Sequence, residues 1–371
     1  MRLTIPTLPL LDAVGQASAV AAAKSPKRIL ECVAIRATKA DGVRIEANDL
    51  DVSLRMHLDD AVVEEDGVVA VPANRLVSVL REVGENRKEL TLIGGSDGQL
   101  EIDTPECHFR IHGEDAAEFH VPEPFPAGGA VTAAFGVLRR MIERTQFATA
   151  REPGRFALHG VQFRFTSSEI EVVATDGRRL AKAVEPLPHG PAAELKVIVG
   201  TKPLSLLCRL SADDATPVDI AVHERRIVFR VGRAVLASRL IDGSFPPYEQ
   251  VIPATTTRGV DLSPIDFSIA LRRAALLTTK ELRSVSLEFA PKLLTLSSRS
   301  PEVGEAKVEI AIPYEDAVER LGFNPDYLLD ALKVMDPARK VRFDFSGPRS
   351  PCKLSDGAGY VYVVSPVSVT E

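Results

Sequence analysis

Two rhythms of apolar residues alternate along the chain, and the alternation repeats. In "GVVAVPANRLVSVLREV" at 67–83, "LKVIVGTKPLSLLCRL" at 195–210 and "FNPDYLLDALKVM" at 323–335, a strand-like run gives way to a Pro and then to apolar residues at helical spacing. A further amphipathic segment precedes each: "LPLLDAVGQASAVAA" from residue 8, "AFGVLRRMIERTQFATA" from 134 and "SPIDFSIALRRAALLTT" from 263. The last opens with a capping pattern, in which Ser263 accepts from a free backbone N–H, Pro264 needs no partner and Asp266 favours the positive helix end.

Strands follow each first helix. In "VRIEANDLDVSLRMHL" at 43–58 the apolar positions alternate on both sides of a turn at Asn48-Asp49, and "IEVVATDGRRLAKAV" at 170–184 and "LLTLSSRSPEVGEAKVEIAI" at 293–312 take the same place. Asp49 and Asp176 therefore occupy equivalent positions in a repeat of about 125 residues. After each second helix come hairpin-like strands, as in "VDIAVHERRIVFRV", which turns near Glu224-Arg225. The unit reads helix, strands, helix, strands. Pro/Gly-rich joints at 120–130 and 245–259 separate three such units, predicting an α+β protein of three tandem similar domains at 1–125, 126–254 and 255–371.

The 371 residues are enough for separate cores, and aromatic content of 5% with no Trp predicts aliphatic ones. A net charge of −6 excludes a pervasively basic nucleic-acid binder but leaves room for a local basic surface. Cys32, Cys107, Cys208 and Cys352 lie far apart with no metal-ligand spacing, which predicts reduced thiols in a cytoplasmic protein and no metal. No stretch is long and apolar enough to span a bilayer.

Candidate chemistry is sparse. "HGEDAAEFH" offers His112, Glu114, Asp115 and His120 as an acid/base or metal cluster, but their place beside a Pro-rich joint favours a solvated linker. "VGTKPL" lacks the first glycine and the closing Ser/Thr of a phosphate loop. In "VVATDGRRLAKA" at 172–183, Thr175-Asp176-Gly177 reads first as a turn, since Asp-Gly adopts the positive φ that reverses a strand.

That stretch, with "LIDGSFPPYEQVIP" at 240–253, "GVVAVPANRLVSVLRE" and the terminal "YVYVVSPVSV", closely resembles the bacterial sliding clamps, the β subunits of DNA polymerase III. The resemblance runs through essentially the whole chain in order and includes the threefold repeat. It implies a homodimer closed into a ring around duplex DNA, with helices lining the interior and antiparallel sheets outside. It also implies a processivity factor with no catalytic residue and no cofactor. The partners it implies are the polymerase α subunit, a clamp loader and other proteins that carry a clamp-binding motif. A repeat-built interaction scaffold that does not encircle DNA is the alternative.

Sliding needs positive charge toward the phosphates without base readout. Lys24, Lys27, Arg28, Arg139, Arg140, Arg144, Arg209, Arg272, Arg273, Lys333, Arg339 and Lys340, on or beside the helices, are the expected DNA-facing set. The resemblance implies a peptide-binding cleft from Leu158, Thr175, Gly177, Arg178, Arg179, Leu180, Pro246, Val251, Val363, Ser365, Pro366 and Val367, with Arg179 offering a fork to the peptide. Arg178 stands where His is common, Gln250 where a basic residue is common, and Ser365 and Val367 replace two methionines, which implies a less adaptable groove. At the subunit seam the resemblance implies Leu276, Leu277, Glu302 and Glu305 on one side and Arg75 and Arg110 on the other, although the basic edge is altered around Pro105-Glu106-Cys107-His108.

Overall fold

The computed structural model describes residues 1–84, 88–95, 97–152, 154, 156–279, 283–357 and 359–368. Among them are the helices α1 (Thr7–Val20), α2 (Ala73–Gly84), α3 (Phe135–Thr145), α4 (Thr201–Leu207), α5 (Pro264–Ala274) and α6 (Pro325–Val334). Local chemistry starts the last two. Ser263 Oγ accepts from the Asp266 N–H at 3.3 Å, and Asn324 Oδ1 accepts from the Asp326 N–H at 3.0 Å, with Pro in the first turn of each helix. By contrast α1 begins directly after a strand with no side-chain cap, so its stability comes from its buried stripe of Leu10, Ala13, Val14, Ala17 and Val20.

Contacts divide the chain into two compact units, Met1–Arg139 with Val199–Leu240, and Arg140–Ile198 with Ile241–Glu371. In the first, an antiparallel eight-stranded sheet runs in the order Val131–Ala134, Pro217–His223, Arg226–Val231, Ala234–Arg239, Val52–Leu58, Gly42–Asn48, Cys32–Thr38 and Gly67–Pro72. α1 lies on Gly42–Asn48 and Val52–Leu58 and packs against α2. A five-stranded sheet begins at Val62–Glu65 and ends at His108–His112.

The second unit repeats the scheme. Its eight-stranded sheet runs Leu195–Gly200, Gly160–Phe165, Glu169–Thr175, Arg179–Pro186, Tyr360–Val364, Cys352–Ser355, Val341–Phe345 and Arg258–Leu262. A four-stranded sheet ends at Gly304–Ala311, and α5 packs on that strand and on α6. Each large sheet therefore joins strands from two successive repeats, through Leu54 opposite Leu236 in one and Ala181 opposite Tyr362 in the other.

The expected aliphatic interior describes the first repeat, whose core is built on Leu3, Leu10, Ile35, Ile45 and Leu92. The third repeat departs from it. Phe267, Phe289, Phe323, Phe343, Phe345 and Tyr314 are all buried there and pack ring against ring, with Phe289 and Phe345 centroids 4.7 Å apart.

Candidate functional site

The turn at Thr175–Arg179 is closed by its own side chains. Asp176 Oδ1 accepts from the Arg178 and Arg179 N–H groups at 2.9 and 3.0 Å, Thr175 Oγ1 donates to the Arg179 carbonyl at 2.6 Å, and Gly177 takes φ 88°. The equivalent turn in the first repeat has Asp49 Oδ1 accepting from Asp51 and Val52, with Leu50 held at φ 80°. The equivalence of Asp49 and Asp176 is thus structural.

Arg179 is engaged within the chain through its guanidinium. It is 7% exposed, and its guanidinium donates to Asp176 Oδ2 at 3.0 Å, Asp330 Oδ2 at 2.7 Å and the Phe147 carbonyl at 2.9 Å, while the Tyr327 ring lies 4.6 Å from it. Burial works against its charge, and the hydrogen bond to Asp330 with the nearby Asp176 outweighs this, holding Arg179 above the ordinary arginine range. Arg179 ties the Asp176 turn to α6 from within. Arg178 is the exposed member of the pair, and a hydrogen bond with the Tyr327 hydroxyl raises its pKa.

Beside this turn, Leu180 and Val363 pack with Val173 and Tyr248 into a buried apolar floor, against which Phe245, Ile252 and Val361 are half-buried. Val251 and Val367 at 48% and 38% exposure, and exposed Pro246 and Ser365, stand at the surface. The Ser365 N–H bonds the Arg178 carbonyl at 2.9 Å and the Val367 N–H bonds the Gly322 carbonyl at 2.8 Å, which fixes the course of 365–367 with half-buried Pro366 between them. Leu158 is 7% exposed in the 3-10 turn Phe156–His159.

Tyr248 is the contributor that the sequence reading missed. Its ring joins the apolar floor while its hydroxyl donates to Glu171, a carboxylate 2% exposed that also pairs with Lys182 Nζ at 2.5 Å. Burial and then the Glu171 contact push the phenol pKa well up, so Tyr248 remains a donor. The signal available was one charged residue, Glu171, inside the otherwise apolar run 170–174 of the strand Glu169–Thr175.

Among the expected DNA-facing residues, Lys24, Lys27, Arg28, Arg140, Arg209, Arg272, Arg273, Lys333, Arg339 and Lys340 are exposed. Arg139 pairs with Asp214 at 2.7 Å. Arg144 is a correction: its side chain is 14% exposed, it pairs with the buried Asp356, and its guanidinium lies 4.4 Å from the Tyr360 ring centre. Arg144 is four residues from Arg140 and shares its helical face, but the last turn of α3 meets Asp356 and Tyr360 instead of water.

In the 3-10 turn Ala275–Leu277, which packs beside the edge strand Gly304–Ala311, Leu276 is 76% exposed and Leu277 half-buried, while Glu302 before that strand and Glu305 on it are exposed. Arg75 and Arg110 line a groove between α2 and His108–His112, where Arg110 already pairs with Glu101 at 2.7 Å. In the His112–His120 stretch, Asp115 caps the 3-10 turn Ala116–Glu118 and Glu114 bridges to Ala70, so these residues serve the joint's backbone.

Three domains of mixed helices and antiparallel sheet, joined by sheets that run across the repeats, define the sliding-clamp class of fold. Consecutive family models agree: the DNA polymerase III beta subunit N-terminal domain matches residues 1–122, the central domain 134–247 and the C-terminal domain 249–366. The chain is 30% identical over 378 residues to the beta sliding clamp of Caulobacter vibrioides (strain NA1000 / CB15N), covering 100% of each. It is similar to the DNA polymerase sliding clamp structures from Bacillus subtilis (TM-score 0.93, 25% identity) and Caulobacter crescentus (TM-score 0.88, 30% identity), with 100% of each chain covered. The chain belongs to the DNA polymerase III beta subunit family, the beta sliding clamps, whose members are processivity factors of DNA replication.

Proposed function

We propose that two copies of this chain, each with domains at 1–125, 126–254 and 255–371, close into a ring around duplex DNA in the cytoplasm and tether the polymerase α subunit without a chemical step. The observation that carries the reading is the recurrence of exposed cations on or beside helices in all three repeats: Lys24, Lys27 and Arg28 in the first, Arg140 and Arg209 in the second, and Arg272, Arg273 and Lys333 in the third. Such contacts bind phosphate without reading sequence and permit sliding. The remaining acidic surface then faces outward, which reconciles a net charge of −6 with a polyanionic partner.

Ring closure has a physical basis in two strands, His108–His112 and Gly304–Ala311, each of which ends its sheet among the described residues. Leu276 beside the second and the groove of Arg75 and Phe109 beside the first supply apolar contact. The tether is the apolar floor of Leu180 and Val363, with Val251, Pro366 and Val367 above it, which suits an extended peptide with apolar anchors. A clamp loader would open the ring, and other motif-bearing proteins would share the groove.

The test is retention of loader-assembled protein on nicked circular plasmid against the same plasmid linearised. The expected outcome is retention on the circle and rapid loss from the ends. Equal retention on both would reject encirclement and favour the interaction scaffold. Val251→Asp with Pro366→Asp should reduce affinity for a polymerase-tail peptide at least tenfold in fluorescence anisotropy, with DNA retention kept.

A further inference from the structure

We propose that the first unit contains a binding site for a small phenolic carboxylic acid, in a cavity of about 300 Å³ bounded by α1, α2, α4 and the paired strands Val52–Leu58 and Ala234–Arg239. The internal repeat indicates what the cavity lacks. Buried positions of α1 (Thr7, Leu10, Ala13, Val14, Ala17, Val20) recur at the same intervals in the second repeat as Phe135, Leu138, Met141, Ile142, Thr145 and Ala148. One step before the last of each stand Ala19 and Phe147. Likewise the fifth residue after each turn aspartate is Leu54 or Ala181, and the residues opposite them are Leu236 and Tyr362. In the second unit Phe147 and Tyr362 therefore fill the corresponding space, with ring centroids 5.9 Å apart, and the Tyr362 hydroxyl donates to the Tyr327 carbonyl at 2.7 Å. In the first unit Ala19 and Leu236 are smaller than these rings, and Leu54 in the place of Ala181 takes back only part of the volume, so the rest stays open.

The walls specify the occupant. Leu54, Val77, Leu206 and Leu236 provide an apolar slot for a ring. Arg81 and Arg209 stand exposed on its lining, and among the described residues neither has an ion-pair partner, so they are available to a carboxylate. Asp12 is already occupied, accepting from Gln16 Nε2 at 2.7 Å and from Ser211 Oγ at 3.2 Å. Gln16 Oε1 is buried with no partner, which leaves an acceptor for a phenol O–H.

The probe is 3-(4-hydroxyphenyl)propionate, titrated into the full-length protein carrying ¹³C-labelled leucine methyls. Saturable shifts at Leu54, Leu206 and Leu236 are expected. The double change Arg81→Ala/Arg209→Ala should weaken binding about tenfold or more. Leu236→Tyr, which supplies the ring from within, should abolish binding; Ala19→Phe is a second variant that fills the same space, and circular dichroism verifies that each is folded. No saturable shift at ~10 mM, or equal affinity in the filled and unfilled proteins, would overturn the site. Equal affinity for 3-phenylpropanol would overturn the role of the arginines and the phenol acceptor.

Discussion

Arg179 concentrates the difference between reading a residue and seeing it. Two adjacent arginines after a turn look alike in sequence, yet one is exposed and the other donates to Asp176, Asp330 and the Phe147 carbonyl. Nothing local distinguishes them, because Asp330 lies in α6, far along the chain. Breaking a buried charge cluster leaves its partners uncompensated, so Arg179→Met is expected to lower the unfolding free energy by about 3 kcal/mol in urea titration; an unchanged transition would mean that the cluster is energetically idle. Cysteine use was more legible, since wide spacing pointed to free thiols. Burial pushes both Cys32 and Cys352 up to about 12, while Cys107 is exposed. At about pH 8 the folded protein should therefore show prompt thiol labelling at Cys107 and none at Cys32 or Cys352 until it is unfolded. As their folded pKa lies above the unfolded value, the stability these two thiols contribute is present below about pH 9 and lost as pH rises toward about 12.

Elements with a strong local code were readable. Ser263 with Pro264 announced α5, the Pro of "FNPDYLLDALKVM" announced α6, and Asp176-Gly177 announced a turn that the structure closes with four side-chain hydrogen bonds. Arg144 was misread because helical spacing reports a shared face but not what covers it; here Asp356 and Tyr360 do. Tyr248 was missed for a similar reason, as Glu171 is its partner from a distant strand. By anchoring the 241–253 segment to the sheet, Tyr248 sets the shape of the proposed peptide groove before a ligand arrives. Tyr248→Phe keeps the ring and removes the anchor. It should weaken peptide binding about threefold to tenfold in anisotropy titration, and full affinity would show that the groove holds its shape without the Glu171 contact.

At the scale of the whole molecule, the threefold repeat was visible in the spacing of helices, but the division into two units was not. Strand pairing is non-local: Ala234–Arg239 from the second repeat completes a sheet of the first, and Arg179–Pro186 from the same repeat joins one shared with the third. Scanning calorimetry should accordingly resolve two cooperative transitions instead of three, and a single one would mean that the units melt together. The same seam binds the repeats to a common fate. Because Leu54 faces Leu236, a change in either must be accommodated by a strand encoded some 180 residues away. Exchange, loss or independent drift of one repeat would leave a strand of its neighbour without its partner, so the three repeats are constrained to change together.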